Sequence, residues 1–331
     1  MTDTPRLLYD PDTLDPEAAA LLPRLTDTDP AVRRIALIDL ADLEDERLLQ
    51  PIVDALHRDA SAAVRREAAR VLASWERADV VEALCGALLD ADADVRETAA
   101  QSLAELKDVA SGVILARWAG HADGFVKASA LRALRELRYA GAFDIAAQAL
   151  LHSSAIVRRE AVGVLGWLKE PRALDSLASL ASADADPDVR RAAAGALGFA
   201  SADSPEPVSA LLGALRDEAW QVREEAATTL GKIRAPLAGD DLIAALDDAY
   251  WQVRLRAARA LGRIGDAKAS APLASLLAHP ISNLRKEAAL ALGELGTCDA
   301  LPALRDALDD RDPDVRKAVR IALQQIESER A

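Results

Sequence analysis

Aromatic side chains are scarce in this 331-residue chain, which has five Trp, three Tyr and three Phe. It has two Cys and one Met. Cys85 and Cys298 stand too far apart to suggest a motif, a disulfide framework or a zinc site, and each is expected to be a small buried thiol. No apolar run approaches the eighteen residues of a membrane span. The opening residues, MTDTPRLLYD, have no basic stretch followed by an apolar core, so a cytoplasmic protein with no membrane partner is expected. Sixteen Gly and fifteen Pro are too few for a low-complexity chain. Cations are also in deficit: 40 Lys and Arg face 54 Asp and Glu, a net charge of −14. Phosphate binding draws on clustered cations, so nucleic acid is not the expected partner. There is no Gly-x-Ser-x-Gly elbow, P-loop or dinucleotide fingerprint, and the expectation is a non-enzyme without a cofactor.

What is present is a repeat. Val followed by a basic residue recurs at Val32, Val64, Val95, Val126, Val157, Val189, Val222, Val253 and Val315, with Leu284 in the same role, at intervals of 31 to 33 residues. Eight residues after this anchor stands Leu in all ten units, from Leu40 to Leu323. Four residues after it stands Ala in nine, with Val319 in the tenth. Anchor, +4, +8 and +11 trace one face of an α-helix. A shorter apolar stretch such as LLQPIVDALH or SAPLASLLAH precedes each anchor. Each unit therefore reads as helix A, tight turn, helix B. Ten units fill residues 16–326, leaving 1–15 as an N-terminal extension and 327–331 as a tail. Leu7, Leu8, Tyr9 and Leu14 of the extension are expected to pack as a cap on the stack.

The turn chemistry is equally regular. Three residues before the anchor stand Asp29, Ser61, Asp92, Asp123, Ser154, Asp186 and Asp312, expected N-caps of helix B. Five residues before it stand Asp27, Asp59, Asp90, Asp184, Asp217, Asp248 and Asp310. Arg follows the anchor in nine units and Lys127 in the other. These acids and bases are expected to form a structural ladder from turn to turn.

Units such as DPDVRRAAAGALGFA and YWQVRLRAARALGRIGDAKASAPLASLLA resemble HEAT repeats of the phycobilisome-lyase type. The resemblance implies an all-α fold, an α-solenoid of about ten helix pairs in a right-handed superhelix, with B helices lining a concave surface. Bilin lyase subunits, phycobilisome-disassembly proteins, metal-dependent hydroxylases and plain scaffolds share it. The hydroxylases hold two irons with His-Glu dipeptides; here His57, His121, His152 and His279 are followed by Arg58, Ala122, Ser153 and Pro280. His121, His152 and His279 occupy the place of the turn Asp, and substitution for it is their expected role. In adjacent units His121 and His152 stand about 10 Å apart, too far to share one metal ion.

Departures from the unit carry the functional expectation. Positions −2, +2, +6 and +10 lie about 200° from the core stripe and should face away from it. There the fifth to eighth units place Trp167, Phe199, Trp220 and Trp251 among Arg159, Arg191, Lys232, Arg256, Arg259 and Arg263. Gly163 and Gly195 on the same stripe are expected to leave a shallow groove. Caps are absent at Ala219, Tyr250 and Ile281, and Tyr250 with Trp251 could instead pack over the turn at Trp220. The expected function is a protein-binding scaffold, adaptor or assembly factor for a partner enzyme. Its contact surface would be Trp167, Phe199, Trp220, Tyr250, Trp251, Lys232, Arg259 and Arg263. A tetrapyrrole-handling factor of the bilin lyase kind is the alternative.

Overall fold

The computed structural model describes residues 14–328, among which there are twenty α-helices, short 3₁₀ turns and no strand. Leu7, Leu8 and Tyr9 lie outside the described residues; Leu14 is buried. The helices alternate as expected in an α-solenoid of helix pairs. They fall into two compact units, residues 1–164 and 165–331.

Within the first unit, the B helices include Pro30–Asp42, Ala62–Val71, Ala93–Ala104 and Gly124–Glu136. The opening A helix is Pro16–Leu21, continued by a 3₁₀ turn, Leu22–Thr26, that carries Pro23. In the second unit the B helices include Pro187–Ala196, Trp220–Ile233, Trp251–Ile264, Ser282–Leu295 and Pro313–Ser328. The periodic residues are buried as their spacing requires. The +4 residues from Ala36 to Val319 are fully buried, and the +8 leucines are buried in nine repeats, Leu323 being half-exposed. The +5 residues Leu37, Leu131, Val162 and Ala194 are buried as well, so the apolar stripe is wider than a single line of contacts.

Glycines at the ends of B helices allow neighbouring B helices to approach. A Cβ on Gly231 would come within 2.7 Å of the Ala260 Cα, and one on Gly262 within 2.8 Å of the Ala291 Cα. Gly265 and Gly296 close their helices at φ +79° and +70°, the left-handed region that a side chain disfavours.

The ladder is present, and its geometry is specific. The Arg after an anchor reaches the turn Asp of the next repeat with two parallel N–H donors. Arg33 pairs in this way with Asp59, Arg65 with Asp90, Arg190 with Asp217, Arg223 with Asp248 and Arg285 with Asp310, at 2.7–3.0 Å. The third nitrogen donates to the carbonyl of the turn residue in the same repeat, as from Arg190 to Asp184 and Arg285 to His279. Each such Asp also accepts the N–H two residues on; Asp217 takes that of Ala219 and Asp248 that of Tyr250, both at 2.8 Å. One carboxylate thus ties its own turn and the preceding repeat together.

Hydrogen bonds from Arg65 and from Arg285 hold the Asp90 and Asp310 carboxyls below the usual carboxylate range. At Asp217 and Asp248 burial is the largest influence and raises the pKa, but the hydrogen bonds of Arg190 and Arg223, the backbone N–H groups of Ala219 and Tyr250 and the nearby guanidinium charges together outweigh it, and both carboxyls stay below the usual range. Caps follow the expectation at Asp29, Asp92, Asp123, Asp186 and Asp312. Ser61 occupies the cap position without a side-chain hydrogen bond.

Candidate functional site

The histidines stand in for the turn acids. His121 Nδ1 accepts the N–H of Asp123 at 3.0 Å, His152 Nδ1 that of Ser154 at 3.1 Å, and His279 Nδ1 that of Ile281 at 3.1 Å. An imidazole that accepts at Nδ1 is neutral and carries its proton on Nε2. Burial, then the charges of Arg254 and Arg285, push the His279 pKa below the ordinary imidazole value. Among the described residues no group of three or more His, Cys, Asp or Glu is arranged to hold a metal ion. Cys85 is buried, which raises its thiol pKa well above the ordinary value. Cys298 differs from expectation, because it opens the 3₁₀ turn Cys298–Ala300 at the surface and is exposed.

All eight residues of the expected contact surface belong to the second unit, where they separate into two groups along helix B. Trp220, Tyr250 and Trp251 stand at the start of B helices. The Trp220 and Tyr250 rings stack at 5.3 Å with planes 13° apart, and the Arg223 guanidinium lies 5.7 Å from the centre of the Tyr250 ring. The uncapped turn at Tyr250 is therefore covered by an aromatic neighbour. Trp220 is half-buried by this packing, while Tyr250 and Trp251 remain 45% and 38% exposed. Trp167 and Phe199 belong to the other end of helix B, twelve residues or about 18 Å along the axis from the −2 position. Trp167 is 39% exposed. Phe199 lies in the 3₁₀ turn Leu197–Phe199 and is half-buried. The tighter turn there advances each residue by about 120° instead of 100°, so the α-helical wheel misplaces Phe199.

The groove expected beside the glycines is filled. A Cβ on Gly195 would meet the Glu225 Oε1 at 2.8 Å, and one on Gly163 the Arg135 Nη1 at 3.0 Å. These glycines make room for a long side chain of a neighbouring repeat. Burial raises the Glu225 pKa, against the pull of Arg191.

The basic character is similarly spent inside the fold. Arg259 donates twice to Glu287 at 2.7 Å, Arg256 pairs with Glu224 at 3.0 Å and Arg191 with Asp188 at 3.3 Å. The Lys232 side chain lies over Gly198, where its Nζ would stand 2.7 Å from a Cβ. Lys232 and Arg263 are exposed and form no close ion pair among the described residues, although the Lys232 charge acts on Glu225. Two cavities of the second unit lie between A helices, one of them lined by Asp175, Ser179, Pro205 and Ser209, and neither includes the aromatic residues.

Sequence reasoning missed a second surface, in the first unit. Leu151, Ile156 and Phe125 are exposed at the turns of the fourth and fifth repeats. The signal was present at position −1, where other units carry Ala, Asp, Asn or Gln.

No helix among the described residues is long and apolar enough to cross a membrane. No curated protein is significantly similar to the chain in sequence. Solved structures share its fold at low identity. An engineered protein is 23% identical over 94% of this chain and 99% of its own, with a TM-score of 0.55. The Escherichia coli protein YibA is 20% identical over 82% of this chain and 98% of its own, at 0.58. Kap95p, described as inducing the switch loops of RanGDP to adopt the GTP-bound conformation, is 16% identical at 0.67; it matches 95% of this chain, which spans half of Kap95p. The family model for HEAT repeats matches residues 17–104, 49–135, 113–198, 177–251 and 239–324, and with this coverage the chain belongs to the HEAT-repeat family.

Proposed function

We propose that this chain is a non-enzymatic scaffold that holds another protein against the outer side of the B helices of residues 165–331. In this reading it serves as an adaptor or as an assembly factor for a partner enzyme. The observation that carries the proposal is the exposure of Trp167, Tyr250 and Trp251 in a chain with eleven aromatic residues in all. Trp and Tyr give large contact area at small entropic cost and are favoured at the energetic centres of protein interfaces. Lys232 and Arg263, exposed and in no close ion pair among the described residues, would orient an acidic segment of the partner. Arg259 would contribute through its stem, since Glu287 occupies its guanidinium. That occupation takes away one of the guanidinium groups on which the pigment-handling alternative would draw to hold propionates.

The test is the double substitution Trp167→Ala and Trp251→Ala, which leaves the Trp220–Tyr250 stack in place. Capture of native partners should fall at least tenfold while the helical circular dichroism and unfolding midpoint stay as they are. Unchanged capture by a folded variant overturns the proposal.

A further inference from the structure

The first unit holds a surface with a different origin. At the ladder position the third repeat offers Arg96 and the fourth Lys127, but the residues due to receive them are His121 and His152. Both imidazoles are engaged by their own turns through Nδ1. Arg96 Nη1 donates to the carbonyls of Asp90 and Ala91 at 2.8 and 3.2 Å, and its guanidinium lies 5.8 Å from the centre of the Phe125 ring. Lys127 Nζ donates to the Ala119 carbonyl at 2.9 Å. Neither cation meets a carboxylate among the described residues. Arg65, one repeat earlier, spends the corresponding Nε and Nη2 on Asp90.

The apolar side chains are concentrated at the same turns. Leu151 is 91% exposed and Ile156 54%, with Phe125 and Leu89 also exposed. At −1 the other eight repeats carry Ala31, Ala63, Asp94, Asp188, Gln221, Gln252, Asn283 and Asp314. A Cβ on Gly124 would stand 3.7 Å from the His152 ring, so the fifth turn packs on the first residues of the fourth B helix. Phe125 and Leu151 flank that contact. Leu151 contributes almost nothing to the core, and covering the exposed parts of these side chains removes apolar surface from water.

We propose that this turn edge docks an extended acidic and apolar segment of a partner protein. The partner's carboxylates would take the two ladder places that His121 and His152 leave open to Arg96 and Lys127, and its apolar side chains would cover Phe125, Leu151 and Ile156. A segment in the extended polyproline-II conformation rises about 3.1 Å per residue with three residues per turn, so acids three residues apart share one face. Successive repeats are about 10 Å apart, so the fitting segment carries acids three residues apart. The Arg96 fork suits a carboxylate in two-point contact.

The probe is a dye-labelled peptide, Leu-Glu-Leu-Leu-Glu-Leu, titrated against the full chain by fluorescence anisotropy. At 0.15 M salt, where the Debye length is about 8 Å, the chain's overall negative charge contributes little. The proposal expects saturable binding at least tenfold tighter than that of the same peptide with Lys for Glu. It expects a loss of at least threefold with Leu151→Ser, a change at a site too exposed to affect folding. The variant His121→Asp with His152→Asp supplies the missing acids internally. It should bind the peptide at least tenfold more weakly while unfolding at a higher temperature than the parent. Absence of binding, equal binding of the Lys peptide, or unchanged binding by the Asp variant overturns the proposal.

Discussion

The rungs built on Asp and those built on His use the same turn and differ in what they can hold. Asp248 accepts the Tyr250 N–H on Oδ1 and still presents both oxygens to the Arg223 fork. His279 accepts the Ile281 N–H on Nδ1, and Arg254 Nη1 then stands 3.2 Å from an Nε2 that carries a proton in this neutral tautomer. A carboxylate has lone pairs for both tasks, whereas a neutral imidazole has one. Closing a turn and joining it to the preceding repeat are thus separable functions, and His preserves only the first.

The largest expected consequence lies at an intact rung. Arg190→Ala leaves Asp217 among buried atoms without its ion partner and should cost about 3 kcal/mol. Arg96→Ala, at a His rung, should cost about 1 kcal/mol or less, the value of its carbonyl hydrogen bonds. Urea unfolding of the two variants measures both; equal losses would break the comparison. Next in size is a gain. His279→Asp rebuilds the two-point pair with Arg254 and should stabilise the chain by about 1 to 2 kcal/mol. A lowered unfolding midpoint would show that the imidazole does more than close its turn.

The third expectation concerns pH. The folded pKa of His279 lies below its unfolded value of 6.5, so the unfolded chain takes up the proton first. The stability that depends on the neutral ring is complete above 6.5 and is lost as pH falls through the folded pKa. A single proton limits this slope to about 1.4 kcal/mol per pH unit. The Asp90 and Asp310 rungs keep their contribution down to 3.8 and lose it below, as pH falls through their own lowered folded values. Unfolding midpoints across pH 4 to 7.5 should therefore show a decline towards low pH that His279→Asp removes. Smallest is the effect of Trp251→Ala on stability, below that of Trp220→Ala, because more of its ring is already exposed to water. Trp220→Ala, which dissolves the stack on Tyr250, should cost about 1 kcal/mol.

The repeat made the fold legible. Anchors, +4 alanines and +8 leucines report helix B directly, since their period is that of the buried face. The ladder was legible too, because Asp at −5 and Arg at +1 recur together. The surroundings of the contact residues were not. Whether Arg259 is free depends on Glu287, twenty-eight positions away, and whether Gly195 leaves a gap depends on Glu225. Such pairings cross between repeats at positions where the repeat is not conserved within the chain. Phe199 was misplaced because helix B tightens to a 3₁₀ turn at Leu197, a change that apolar spacing does not reveal. The turn patch at Phe125, Leu151 and Ile156 was not legible because apolar residues at −1 and in the preceding turn lie outside the period of the buried face, so spacing does not say whether they are covered.

The claim that departures from the repeat mark the partner's docking face is tested most directly by photo-cross-linking. A benzophenone amino acid is placed in turn at Trp167, at Trp251 and at Glu105, an exposed residue of the third repeat in the same helical register as Trp167 and at the opposite end of helix B from the Arg96 turn. On illumination in cells, positions 167 and 251 should each yield a discrete cross-linked protein species and position 105 none. Equal yields at all three, or cross-links at 105 alone, would contradict the account.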